Sequence, residues 1–120
     1  MDFYENTISS KQIFSGRIIK VRVDEVVLPN GRRSTREIVE HPGAVAVVAI
    51  TDNDEVLMVR QYRKAIEREL LEIPAGKLEA GESKETCVKR ELMEETGYYP
   101  NELKYMTSFY TSPGFSNEIL

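Results

Sequence analysis

The rhythm of apolar and polar positions changes several times along this chain, and each change marks an element. From Ile18 to Leu28 β-branched residues recur with polar ones between them, which predicts a strand, and Pro29-Asn30-Gly31 supplies a turn. Arg33 to Val39 is placed to pair back across that turn as a hairpin. Ala44 to Ile50 is continuously apolar, the pattern of a strand buried on both faces. Thr51-Asp52-Asn53-Asp54 is a polar turn into a further strand, Glu55–Arg60. Another is expected near Glu69–Ile73, ended by Pro74-Ala75-Gly76.

The period then lengthens to that of a helix, from about Ser83 to Thr96. Ser83 is a suitable N-cap, good helix formers follow, and Gly97 is a natural stop. Val88, Leu92 and Thr96 recur every fourth residue and are expected to face the core. Lys104 to Thr111 reads as one more strand. Strands on both sides of one central helix predict an α+β fold with a mixed sheet.

At 120 residues the chain is expected to build one modest core. A net charge of −4, with scattered Lys and Arg, argues against nucleic-acid and membrane-surface partners, which attract basic patches. A single cysteine forms no internal disulfide, and the N-terminus has no basic-then-apolar signal pattern. These features predict a cytoplasmic protein.

The charge that matters lies on the helix. Residues three or four apart share a helical face, so Glu91, Glu94 and Glu95 fall within one arc. Like charges at that spacing cost a few tenths of a kcal/mol per pair, a cost that a multivalent cation turns into binding. Clustered carboxylate oxygens suit Mg²⁺, with Mn²⁺ as the alternative, better than zinc. A merely solvated acidic face accounts for neither the flanking glycines nor the spaced Glu82 and Arg90.

The run from Gly76 to Tyr98, GKLEAGESKETCVKRELMEETGY, resembles the Nudix box, G-x5-E-x7-R-E-U-x-E-E-x-G-U, where U is bulky and aliphatic. Gly76, Glu82, Arg90, Glu91, Leu92, Glu94, Glu95 and Gly97 match in register, and only Tyr98 departs, which reads as a packing variation. The resemblance implies a Nudix-type α/β/α sandwich carrying the box as a loop and helix. It implies metal-dependent cleavage of a nucleoside diphosphate linked to another group. Glu91, Glu95 and Glu94 are the implied metal ligands and catalytic carboxylates, together with the carbonyl of Ala75. Glu82 stands at the edge of that site, and Arg90, Gly76 and Gly97 give structural support. Arg90 is expected to pair with a carboxylate of the box and hold loop to helix.

Outside the box, His41-Pro42-Gly43-Ala44-Val45, Val59-Arg60-Gln61-Tyr62-Arg63, Leu71-Glu72-Ile73-Pro74-Ala75-Gly76 and Pro113, sixteen residues past Gly97, resemble the ADP-ribose pyrophosphatase subfamily. That likeness implies ADP-ribose as substrate, split into AMP and ribose 5-phosphate, with Arg63, Glu72 and Pro113 as substrate-binding residues. It also implies a homodimer, residues 1–40 forming N-terminal strands and a dimerisation segment, and 41–120 the Nudix core. The alternatives are another ADP-sugar or dinucleotide as substrate, or a non-catalytic nucleotide sensor.

Subfamily members continue through further strands and a closing helix, so the fold is expected to be incomplete after Leu120. By the same likeness the general base or extra metal ligand is a glutamate on a loop after the box, generally further along than Leu120; Glu118 is a weaker candidate, because it begins an expected strand. Cys87 is read as a small packing residue rather than a nucleophile, because its neighbours are carboxylates. His41 is read as a turn residue.

Overall fold

The structure is a computed structural model that describes residues 2–120. Seven strands, one 3-10 turn and one helix follow in order: β1 (Asn6–Ser15), β2 (Lys20–Val27), β3 (Arg33–Glu40), β4 (Ala44–Ala46), β5 (Val59–Arg63), the turn Lys64–Ile66, β6 (Arg68–Glu72), β7 (Ala75–Lys77) and α1 (Lys84–Thr96). The residues divide into two units, which are taken separately. One holds residues 2–42 with Ser108–Ile119, and the other is Gly43–Thr107 with Leu120.

In the first unit β1, β2 and β3 form an antiparallel sheet in that order. The β2–β3 hairpin is the one expected. Its turn closes through Gly31 N–H to the Leu28 carbonyl at 2.9 Å, with Gly31 at φ +84°, a region open to glycine without Cβ strain. β1 is too polar for its pattern to predict it, and every one of its residues is exposed. Its pairing with β2 is interrupted between Thr7 and Ser9 and between Gln12 and Phe14. Asp24 is buried in this unit and accepts from Ser10 Oγ at 2.6 Å and from Arg22 Nε at 3.1 Å. Arg22 also pairs with Glu40. These contacts satisfy a charge that burial alone disfavours.

Val39 makes a parallel bridge to Ser116, so both pairing senses occur among the described residues. The expected strand Lys104–Thr111 does not form; Tyr110 makes only a single antiparallel bridge, to Ile119. Its apolar residues have no continuous ladder partner to fix an extended conformation.

In the second unit β4 pairs with β7 and β5 with β6, both antiparallel. α1 packs on β7 and β4, burying Val45, Cys87 and Leu92. The core row on the helix therefore runs through Cys87 and Leu92, while Val88 and Thr96 are half-buried. The long buried strand expected over Ala44–Ile50 is corrected to three residues, because its partner β7 is only three residues long. Beyond Ala46, Val48 is 45% and Ile50 67% exposed. Apolar continuity does not say which faces another layer will cover. The expected strand Glu55–Arg60 is likewise reduced to one bridge, Ile50 to Val56, and its last two residues begin β5. Pro74 ends β6 as expected, but Ala75–Lys77 resumes as β7.

The helix is capped as its sequence predicts. Ser83 Oγ accepts from the Thr86 amide at 3.1 Å, and Gly97, at φ +78°, returns its N–H to the Met93 carbonyl at 2.9 Å. No helix among the described residues is long and apolar enough to cross a membrane.

Candidate active site

The site lies in the second unit, where the middle and second half of α1 face β7 and the loop that joins them. Arg90 is its hub. The guanidinium donates from Nε to Glu82 Oε2 at 2.8 Å and from Nη2 to Glu82 Oε1 at 3.0 Å. Nη1 donates to Glu91 Oε1 at 2.9 Å and more weakly to Glu94 Oε2 at 3.4 Å. Glu82 lies on the loop, so this fork ties the loop to the helix through charge-assisted bonds. The pairing holds the Glu82 carboxyl down at about 2, and burial adds an opposing push. Arg90 is held well above its ordinary value by the same contact.

Glu79 also belongs to this arrangement. Its amide donates to Glu82 Oε1 at 3.3 Å, its carbonyl accepts from the Glu82 amide at 3.1 Å, and its carboxylate stands 3.8 Å from Arg90. Sequence reasoning missed it. The signal available was its place three residues before Glu82 in a turn closed by Gly81.

Gly76 is required by sterics rather than by its φ. A Cβ there would lie 2.1 Å from Glu91 Cδ and 2.4 Å from Glu91 Oε1, so the carboxylate packs directly on the Gly76 backbone. Glu95, one helical turn on, accepts from the Ala75 amide through Oε2 at 3.2 Å. Burial pushes the Glu95 carboxyl up from its ordinary value, against that hydrogen bond and the charge of Arg63, which pull it down.

The strand register explains why Ala75 is available. Val47 N–H bonds to the Pro74 carbonyl and Leu78 N–H to that of Gly43, which makes Val45–Gly76 the intervening hydrogen-bonded pair. Ala46–Ala75 is then a non-hydrogen-bonded pair, whose N–H and C=O both point away from the partner strand. The Ala75 amide uses that freedom to reach Glu95, and its carbonyl faces the same edge. Glu91 against Gly76 and Glu95 on the Ala75 amide thus flank one short stretch of backbone, and with the Ala75 carbonyl they form a hard-oxygen donor set of the kind that fits Mg²⁺ or Mn²⁺. Among the described residues no three His, Cys, Asp or Glu side chains are already gathered as a metal site. Glu94 is 58% exposed and leans on Arg90.

These features coincide with a family match. A model of the NUDIX domain matches residues 40–119, and one of the nucleoside diphosphate sugar hydrolase N-terminal domain matches residues 5–39. The chain belongs to the Nudix family.

Among curated proteins, this Nudix chain is 58% identical over 116 residues to an ADP-ribose pyrophosphatase of Bacillus subtilis (strain 168), covering 97% of the chain and 63% of that protein. It is 57% identical over 118 residues to a methanol dehydrogenase activator of Bacillus methanolicus, covering 98% of the chain and 64% of that protein. The chain therefore spans a little under two thirds of the length of these relatives. A solved structure, of an ADP compounds hydrolase, superposes with a TM-score of 0.84 at 25% identity, covering 96% of this chain and 63% of that one. The Nudix fold follows from this likeness.

The other expected site residues fall in different places. Arg63 and Glu72 meet on the β5–β6 hairpin in a two-pronged ion pair. Pro113 lies exposed in a turn of the first unit, and Glu118 in the same unit uses its carbonyl to accept from Thr111 N–H at 3.3 Å. His41 N–H donates to Asn117 Oδ1 at 2.8 Å. Cys87 is fully buried beneath the loop, its thiol pushed up to about 11, first by burial and then by Glu82. Tyr98 is more than half exposed, so its departure from the aliphatic pattern is not a core substitution.

Proposed function

We propose that this chain catalyses hydrolysis of a nucleoside diphosphate derivative, ADP-ribose, to AMP and ribose 5-phosphate. The observation that carries the reading is that Glu91 packs on Gly76 and Glu95 accepts from the adjacent Ala75 amide, while the Arg90–Glu82 fork fixes the loop. The name of the Bacillus subtilis relative supports ADP-ribose as the diphosphate.

Glu91, Glu95 and Ala75 would hold Mg²⁺, or Mn²⁺, with Glu94 joining them by turning from Arg90. A divalent ion bound there supplies positive charge against diphosphate oxygens and the acidity that makes water a nucleophile. The chain's own part is to orient. Glu82 and Arg90 keep the loop on the helix, Gly76 lets Glu91 approach, and Arg63 offers a guanidinium to phosphate oxygens. Water adds to one phosphorus, the bridging P–O bond breaks, and the departing phosphate takes a proton.

The wider reading is a cytoplasmic homodimer, with residues 1–40 as the dimerisation segment and 41–120 as the Nudix core. The exposed Ile8, Ile13 and Phe14 of β1 support an association surface there. The buried free thiol of Cys87 supports a reducing compartment.

The test is AMP release from ADP-ribose with Mg²⁺ and with a chelator, beside Glu95→Gln. Metal-dependent release lost in the variant supports the reading; equal release by wild type and variant sinks it. A second reading draws on the methanol dehydrogenase activator, a relative at 57% identity named for its effect on another enzyme. In that reading the chain acts through a partner dehydrogenase, and stimulation of such an enzyme without ADP-ribose turnover would favour it.

A further inference from the structure

Arg63 and Glu72 stand apart on the β5–β6 ladder, Arg63 across from Arg68 and Glu72 across from Val59. Alternation puts Val59, Gln61 and Arg63 on one face, and Glu72 shares it as the partner of Val59. Along that face the two side chains reach each other, Nε to Oε2 at 2.7 Å and Nη2 to Oε1 at 2.6 Å.

The pair is unequal. Both oxygens of Glu72 are taken by Arg63, and the Glu72 side chain is 22% exposed against 46% for Arg63. Of the five N–H donors on a guanidinium, this pair uses two. Nη1 of Arg63 makes no hydrogen bond among the described residues. Arg63 also stands within electrostatic reach of Glu95 on α1, whose carboxyl it pulls down. The open edge therefore belongs to a cation of the hairpin whose charge is felt at Glu95.

On the hydrolase reading above, we propose that Glu72 is a positioning residue: its two-pronged pair fixes the Arg63 guanidinium with Nη1 open to a diphosphate oxygen, and Glu72 itself does not touch substrate. A long arginine at a strand end has many rotamers, and fixing one before binding removes that entropy from the cost of association. This role differs from direct contact with a ribose or base in that Glu72 acts through Arg63, to which both its oxygens bond.

The test is a double-mutant cycle on the full chain with Glu72→Gln, Arg63→Lys and both together. The first readout is calorimetric binding of ADP in Mg²⁺, which needs no turnover. Glu72→Gln is expected to weaken ADP binding about tenfold and Arg63→Lys at least as much, because lysine lacks the fork. The double variant is expected to bind no more weakly than Arg63→Lys alone. With ADP-ribose as substrate, Glu72→Gln should raise KM by a similar factor and leave kcat within about twofold. Additive losses would show that Glu72 contacts the ligand itself and would overturn the proposal. So would unaltered ADP binding in Glu72→Gln, the result for an inconsequential surface pair, or failure of the wild-type chain to bind ADP. Coupled ADP binding without ADP-ribose hydrolysis would leave the positioning role standing and remove the hydrolase reading. If Glu72→Gln does not fold, the same cycle with Glu72→Asp reads the same coupling.

Discussion

Arg90 grips Glu82 with two hydrogen bonds, of 2.8 and 3.0 Å, across eight residues of chain that include the whole turn into α1. The contact ties the loop to the helix, and the same guanidinium holds Glu91 and Glu94. Replacing Arg90 with lysine keeps the charge but loses the planar fork. Arg90→Lys is expected to lower kcat/KM for ADP-ribose at least about tenfold, in line with losses seen when residues that orient metal ligands are changed. Limited proteolysis should also cut the 78–82 loop faster.

The same pairing sets an acid limit on stability. Glu82 titrates at about 2 in the folded chain against an ordinary 4.5, so the ionised form is favoured by folding. The unfolded chain therefore binds more protons between those values, and stability must rise with pH across them. The contribution is fully present above about pH 4.5 and is lost as pH falls towards 2. Urea unfolding at a series of pH values should show this limb, and Glu82→Gln should flatten it.

Gly76→Ala places a methyl group 2.1 Å from Glu91 Cδ, so Glu91 must swing away from both Arg90 and the Ala75–Gly76 peptide. Overpacking of this kind costs about 1–3 kcal/mol. The variant is expected to lose that much stability by denaturant unfolding, together with its Mg²⁺ affinity by calorimetry.

Glu95→Gln preserves an oxygen to accept from the Ala75 amide while removing the charge. On the proposed hydrolase reading, hydrolysis of ADP-ribose is expected to fall at least about a hundredfold with Tm little altered, since that reading makes the loss one of a metal ligand rather than of packing. Full activity in this variant would show that the carboxylate face is not the metal site.

Ser83→Ala removes the side-chain acceptor for the Thr86 amide at the head of α1. The expected loss is about 1 kcal/mol of stability, measured by urea unfolding, with KM for ADP-ribose near its wild-type value.

Local chemistry was legible in the chain. The Pro29-Asn30-Gly31 hairpin, the capped helix ending at Gly97 and the fixed offsets of the box glutamates all depend on residues a few positions apart, and their physics is contained in that span. What the sequence left open was which surfaces meet. An apolar run from Ala44 to Ile50 predicted a long buried strand, and a three-residue partner limited it to Ala44–Ala46. β1 carries too little apolar alternation to be seen alone, because its pairing with β2 defines it. Glu79 and Glu82 closing on Arg90, Glu95 reaching the Ala75 amide and Glu72 locking Arg63 are likewise contacts between separate elements. Sequence alone determined which charges this protein carries and at what spacing along one helix. Only the tertiary structure decided which partner each charge takes, because that depends on distances through space that no local pattern encodes.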